Sequence, residues 1–99
     1  MRIKNATLLD RSLEILGSKW TLKIISILLK NNLRFNEIQR SCDICPRTLS
    51  LRLDELENNG IVTKIISDGT TLKAEYSLTK KGKSLKKVLS AISDWSMVE

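Results

Sequence analysis

Histidine is absent from the 99 residues. That absence removes the side chain most often used as a general acid or base near neutral pH, and the commonest metal ligand. Gly-rich phosphate loops and nucleophile elbows are missing as well, so no enzyme activity is expected. Long apolar runs are also lacking. The richest stretch, 24–29, is interrupted by Ser26 and flanked by Lys23 and Lys30, far short of the roughly 20 apolar residues that span a bilayer. The basic start Met1-Arg2-Ile3-Lys4-Asn5 is followed by no apolar signal-peptide core. A cytoplasmic location without a membrane partner is expected. No Pro-, Gly- or Ser-rich linker and no internal repeat divides the chain, and residues 1–99 read as one domain. Cysteine is scarce. Cys42 and Cys45 form a lone Cys-x-x-Cys, which lacks the four ligands of a structural zinc site and has no histidine to complete it. Neither a metal nor another cofactor is expected.

What the chain does carry is positive charge in a globular composition. Lysine and arginine number 17 against 11 acidic residues, a net charge of +6, and 41% of the residues are hydrophobic. A basic excess favours a polyanionic partner such as nucleic acid. Lys80, Lys81, Lys83, Lys86 and Lys87 form the one purely basic stretch. It either lines DNA or keeps the outer face of a helix solvated.

Hydrophobic periodicity predicts helices over 8–16 and 19–30, the first ended by Gly17 and the second capped by Ser18. The second is apolar nearly all round, as in a helix buried within a domain. Residues 33–35 read as a short strand. A third helix is expected from Asn36, with Gln39 completing a capping box, and it ends in the turn 42–46. Pro46 suits a first helical position, and the helix it opens runs to Asn59 before Gly60, with Leu49, Leu53 and Leu56 as its core stripe. Strands 61–66 and 72–78 around the turn 67–71 predict a β-hairpin. Thr79 then caps a last helix over about 80–96, with Leu85, Val88, Leu89, Ile92 and Trp95 at helical spacing. The expected architecture is mainly α with a small β-hairpin, an α+β winged helix-turn-helix. The helix-turn-helix covers about 36–59 and the wing about 61–78.

The helix over 46–59 is the candidate recognition helix. Opposite its leucine stripe lie Arg47, Leu51 and Asp54, flanked by Thr48 and Ser50, with Arg52 at the core's edge. Arginine pairs bidentately with guanine, hydroxyls bond bases or phosphates, and a leucine can meet thymine methyls. A helix entering the major groove reads bases mostly from its N-terminal half. Lys64 and Lys73 on the hairpin are candidate phosphate contacts, and the tip residues Thr70 and Thr71 offer only hydroxyls beside Asp68. The function expected from these residues is sequence-specific binding of double-stranded DNA. The alternatives are a winged-helix protein–protein interaction module, which the outward Leu51 and Asp54 favour, and a non-specific architectural DNA-binding protein. Cys45 at a helix N-terminus would have a lowered thiol pKa. Cys42 and Cys45 are thus a candidate redox pair, alongside the plainer readings of two reduced small residues or a fixed disulfide.

An ordered series of residues resembles the HxlR-type regulators, relatives of the MarR winged-helix group. It comprises Gly17-Ser18-Lys19-Trp20, Arg34-Phe35-Asn36-Glu37-Ile38, Leu49-Ser50, Arg52-Leu53, Glu55-Leu56-Glu57, Gly60-Ile61-Val62, Glu75-Tyr76-Ser77-Leu78-Thr79, Gly82 and Trp95. The resemblance implies a homodimeric transcriptional regulator on a pseudo-palindromic operator, dimerising through its first and last helices. Leu8, Leu9, Ile92 and Trp95 are the expected interface, and Met97 and Val98 add apolar surface beyond them. Three departures stand out. Thr7 occupies the place where many members carry a reactive cysteine, Cys45 replaces a serine cap, and Leu51 replaces a polar residue. With no separate ligand domain, no effector is named.

Overall fold

The structure, a computed structural model, describes residues 7–66, 69 and 73–99. The first helix, α1 (Leu8–Leu16), is opened by a capping box: Thr7 Oγ1 accepts from the Asp10 N–H at 3.0 Å, and the Asp10 carboxylate accepts from the Thr7 N–H at 3.2 Å. Ser18 caps α2 (Lys19–Leu28) by accepting from the Trp20 N–H. Thr21, Ile24, Ile25 and Leu28 of α2 are buried, and Trp20, Ile27 and Leu29 pack around them. This helix is the centre of the molecule, as its all-round apolar surface predicts.

The stretch 33–35 does not form a strand. Leu33 alone pairs with the hairpin, giving and receiving one backbone bond with Tyr76 at 3.1 and 2.7 Å. The Glu37 carboxylate accepts from the Arg34 N–H at 2.8 Å, so α3 (Phe35–Cys42) begins one residue before Asn36. Glu37 rather than Gln39 therefore closes the helix start, and Asn36 lies inside the first turn.

Asp43, in the left-handed region at φ 53°, ends α3. Aspartate is one of the few residues that tolerate this conformation. The chain then turns into α4 (Pro46–Asn58), whose Leu49, Leu53 and Leu56 enter the core. Its C-terminus closes in a Schellman motif, with the Ile61 N–H bonded to the Leu56 carbonyl and the Gly60 N–H to that of Glu57. Gly60 sits at φ 72°, where a side chain is disfavoured.

Strands β1 (Val62–Ile66) and β2 (Ala74–Leu78) pair antiparallel, Val62 opposite Leu78 and Ile66 opposite Ala74. Most of the turn 67–71, with Asp68, Thr70 and Thr71, lies outside the described residues. The single helix expected over 80–96 is divided into α5 (Lys80–Lys83) and α6 (Lys86–Trp95). The reason lies in what holds α5. Thr79 donates its hydroxyl to the Gly60 carbonyl at 2.6 Å and caps Gly82 from behind. Gly82 is pressed so closely on Ile61 that a Cβ would collide with the Ile61 carbonyl oxygen. Ser84 and Leu85 join α5 to α6 as a tightened turn, with the Leu85 N–H bonded to the Gly82 carbonyl at 3.1 Å. Neither α1 nor α6 places a fully buried residue in the core; Ile15, Leu16, Leu85 and Leu89 only pack against it.

Candidate nucleic-acid interface

At about 100° per residue, the three core leucines of α4 take one side of the helix and leave the other to solvent. The structure brings Arg47, Ser50, Leu51 and Asp54 together on that exposed side, with Leu51 52% exposed. Leu51 is not part of the hydrophobic core that the other leucines of α4 fill. Thr48 is half-buried in the first turn. Arg52 is on the flank and is turned aside: its guanidinium bonds the Glu55 carboxylate at 2.6 Å, and its Nε is buried without a hydrogen-bond partner. Of the hairpin lysines, Lys64 is exposed with its ammonium 5.5 Å from the centre of the Tyr76 ring, and Lys73 is exposed just before β2.

The turn between α3 and α4 separates the two thiols. Cys42, at the end of α3, is fully buried, and Cys45, the N-cap of α4, is exposed; both are free. Burial pushes the Cys42 thiol up, opposed by the charge of Lys23. The Cys45 thiol is held below its ordinary value, first by the Thr48 hydroxyl 3.2 Å away, then by the backbone N–H of Thr48. These groups donate to a thiolate and so favour it. Cys45 stands at the N-cap of α4, and its sulfur sits at the opening of the exposed helix.

Two arginines passed over in the reading of α4 belong to the same region. Arg34 and Arg40 project from α3 towards the hairpin and, with Lys64, line an open cleft of about 460 Å³. Their signal in the sequence was faint, because α3 carries mixed charges and its start was placed after Arg34. Among the described residues, no group of three or more His, Cys, Asp or Glu side chains comes together as a metal site would require.

This arrangement of a short helix, a turn, an uncovered second helix and a hairpin is shared with known proteins. The sequence model for the HxlR-like helix-turn-helix matches residues 15–98. The chain belongs to the HxlR-like family. It is 39% identical over 88 residues to the HTH-type transcriptional regulator YvaP of Bacillus subtilis, covering 88% of this chain and 82% of that protein. The reduced form of the transcriptional regulator YodB from B. subtilis superposes with a TM-score of 0.80 at 33% identity, over 92% of this chain and 91% of the other. The redox regulator HypR in its reduced form superposes with a TM-score of 0.83 at 33% identity, over 90% of this chain and 89% of the other. The HxlR-like chain therefore has the winged helix-turn-helix fold expected of it, mostly α with one two-stranded hairpin. Its class of function is that of its family, DNA-binding transcription regulation. Among the described residues no helix is long and apolar enough to cross a membrane.

Proposed function

We propose that the HxlR-like chain acts in the cytoplasm as a homodimer that reads a pseudo-palindromic operator in double-stranded DNA. One α4 helix from each protomer enters a major groove. The observation that carries this reading is the one-sided burial of α4: its leucines fill the core, while Arg47, Ser50 and Leu51 are left open on the other face. Arg47, one residue after Pro46 at the start of α4, is placed to reach the O6 and N7 edge of a guanine. Leu51, one turn on, is placed against a thymine methyl. Ser50 and Thr48 supply hydroxyls to bases or phosphates, and Lys64 and Lys73 meet the backbone beside the hairpin. Arg52 serves through its pairing with Glu55, which holds the flank of the helix rather than reading a base. The work done is recognition and not catalysis.

The homodimer rests on the two terminal helices. Leu8, Leu9 and Leu13 of α1 and Val88, Ile92 and Trp95 of α6 are all exposed, Leu8 80% and Trp95 73%. Met97 and Val98 extend the apolar surface. So much uncovered apolar surface on a 99-residue chain suits a second copy. Two-fold symmetry then sets the two recognition helices about one helical turn of DNA apart, roughly 34–36 Å, or a multiple of it.

The experiment that tests this reading is footprinting on a duplex selected from random sequence. The expected result is two protected half-sites related by inverted repetition, with centres about 10 bp or a multiple apart. A single half-site, or protection without sequence preference, would overturn it.

A further inference from the structure

One carboxylate, that of Asp54, stands on the side of α4 that faces away from the core. Asp54 follows Arg47 by seven residues. At about 100° per residue, that spacing brings it back to within about 20° of the same direction, and about 10.5 Å further along the axis. Leu51 lies between the two on the same side. All three are exposed, opposite the buried Leu49, Leu53 and Leu56. Asp54 is therefore on the line that the helix would present to DNA, not on its flank.

Its neighbours on the helix leave this carboxylate uncompensated. At three and four residues along α4 they are Ser50, Leu51, Glu57 and Asn58, with no cation among them. Arg52, on the flank, is taken by Glu55. Among the described residues Asp54 has neither a hydrogen bond nor an ion pair. Facing DNA, a bare carboxylate is repelled by the phosphates, and only hydrogen-bond donors on the groove floor offset that cost. An ionised carboxylate can only accept. In the major groove the bases that donate are cytosine, through N4, and adenine, through N6; guanine and thymine offer acceptors. Adenine also sets its N7 acceptor beside the amino group, where it opposes a carboxylate, and cytosine has no such acceptor.

The separation along the helix sets the spacing of the bases. A helix laid along the groove advances about 10.5 Å from Arg47 to Asp54, against about 3.4 Å per base pair. We infer that Asp54 is a specificity-determining residue that reads a cytosine in each half-site through its N4 amino group, about three base pairs from the guanine read by Arg47. One carboxylate oxygen accepts from that amino group. The same charge is repelled by the O6 and N7 edge of guanine and by O4 of thymine, so Asp54 selects by rejection as well as by attraction. The inference rests on DNA reading by α4, and it gives that reading a second base at a stated distance from the first.

The test is competition binding of the full chain to its selected duplex and to duplexes in which each position, in both half-sites together, is replaced in turn by the other three base pairs. Wild type is compared with Asp54→Ala, Asp54→Asn and Arg47→Ala. Wild type should lose roughly fivefold to a hundredfold when the cytosine about three base pairs from the guanine is replaced. Asp54→Ala should accept all four base pairs there nearly equally and keep the preference for guanine. Asp54→Asn should turn the preference at that position to adenine, which an amide meets at both N6 and N7. Arg47→Ala should lose the guanine and keep the cytosine. Base preferences in Asp54→Ala equal to those of wild type, whatever its overall affinity, would overturn the inference and leave DNA reading intact: the carboxylate would then only repel the backbone or stand above the groove floor. A selected half-site without that cytosine would overturn it as well. So would loss of preference at every position in Asp54→Ala, because the residue would then hold the helix in place and not read one base. Equal wild-type affinity for all the duplexes would overturn DNA reading by α4, and the role of Asp54 with it.

Discussion

At the scale of single residues, the turn of the helix-turn-helix gives two cysteines opposite chemistry. Cys45 is open to solvent and its thiolate is favoured by donors from Thr48; Cys42 is enclosed in the core and its thiolate is disfavoured. A lowered pKa means that more thiolate is present at any given pH below the ordinary thiol range. Alkylation of the native protein near neutral pH should therefore modify Cys45 and spare Cys42, as peptide mass mapping would show. Thr48→Val removes the hydroxyl donor, so the pH at which Cys45 reacts half-maximally should move up. An unchanged profile would mean that Thr48 does not tune the thiol. The cysteine spacing was visible in the sequence, but its asymmetry was not. One thiol is buried because Cys42 falls on the same side of α3 as Ile38, and a four-residue motif does not say where that side faces. The flank position of Arg52 was legible from the helical wheel, whereas its bond to Glu55 depends on rotamers that no periodicity encodes.

At the scale of elements, the helices were legible wherever an apolar stripe met a local stop. Gly17, Ser18, Pro46 and Gly60 each mark a boundary that the structure shows. Two boundaries were not legible, for related reasons. Asn36 and Gln39 have capping-box chemistry, but Glu37 competes for the helix start from one residue earlier and its charged oxygen is the stronger acceptor. The break in the last helix comes from Gly82 docking on Ile61, a contact between residues distant in sequence. Gly60 offers a test at this scale, because its φ of 72° lets the Schellman motif close α4. Gly60→Ala has open space for its methyl group, so the cost is conformational alone. The variant should unfold at lower denaturant, by about 1–2 kcal/mol, with no change in the salt slope of DNA binding. Unaltered stability in a urea titration would mean that the left-handed residue is not needed to end the recognition helix.

At the scale of the whole molecule, the core and the proposed interfaces divide the chain between them. The central helices, the hairpin and the recognition leucines make the core, while α1 and α6 keep large apolar side chains outside it. That surplus was legible in the sequence as excess apolar surface on the first and last helices: Leu8, Leu9, Ile92, Trp95, Met97 and Val98 stand out there and are exposed, and Leu13 and Val88 join them. Trp95→Glu and Leu9→Glu place charges on the exposed surface, so each should shift the protein towards monomer in sedimentation analysis and weaken operator binding while leaving the far-UV spectrum unchanged. Retention of a wild-type sedimentation profile by both variants would move the proposed interface elsewhere.

The central claim is that the open face of α4 reads sequence. It is tested most directly by titrating wild type and Arg47→Ala against the selected duplex and an unrelated one, under reducing conditions and over a range of salt. The account predicts tighter wild-type binding to the selected duplex, and a loss of that preference in Arg47→Ala equivalent to about 1–3 kcal/mol. Equal wild-type affinity for both duplexes, or a preference that survives Arg47→Ala intact, would contradict it.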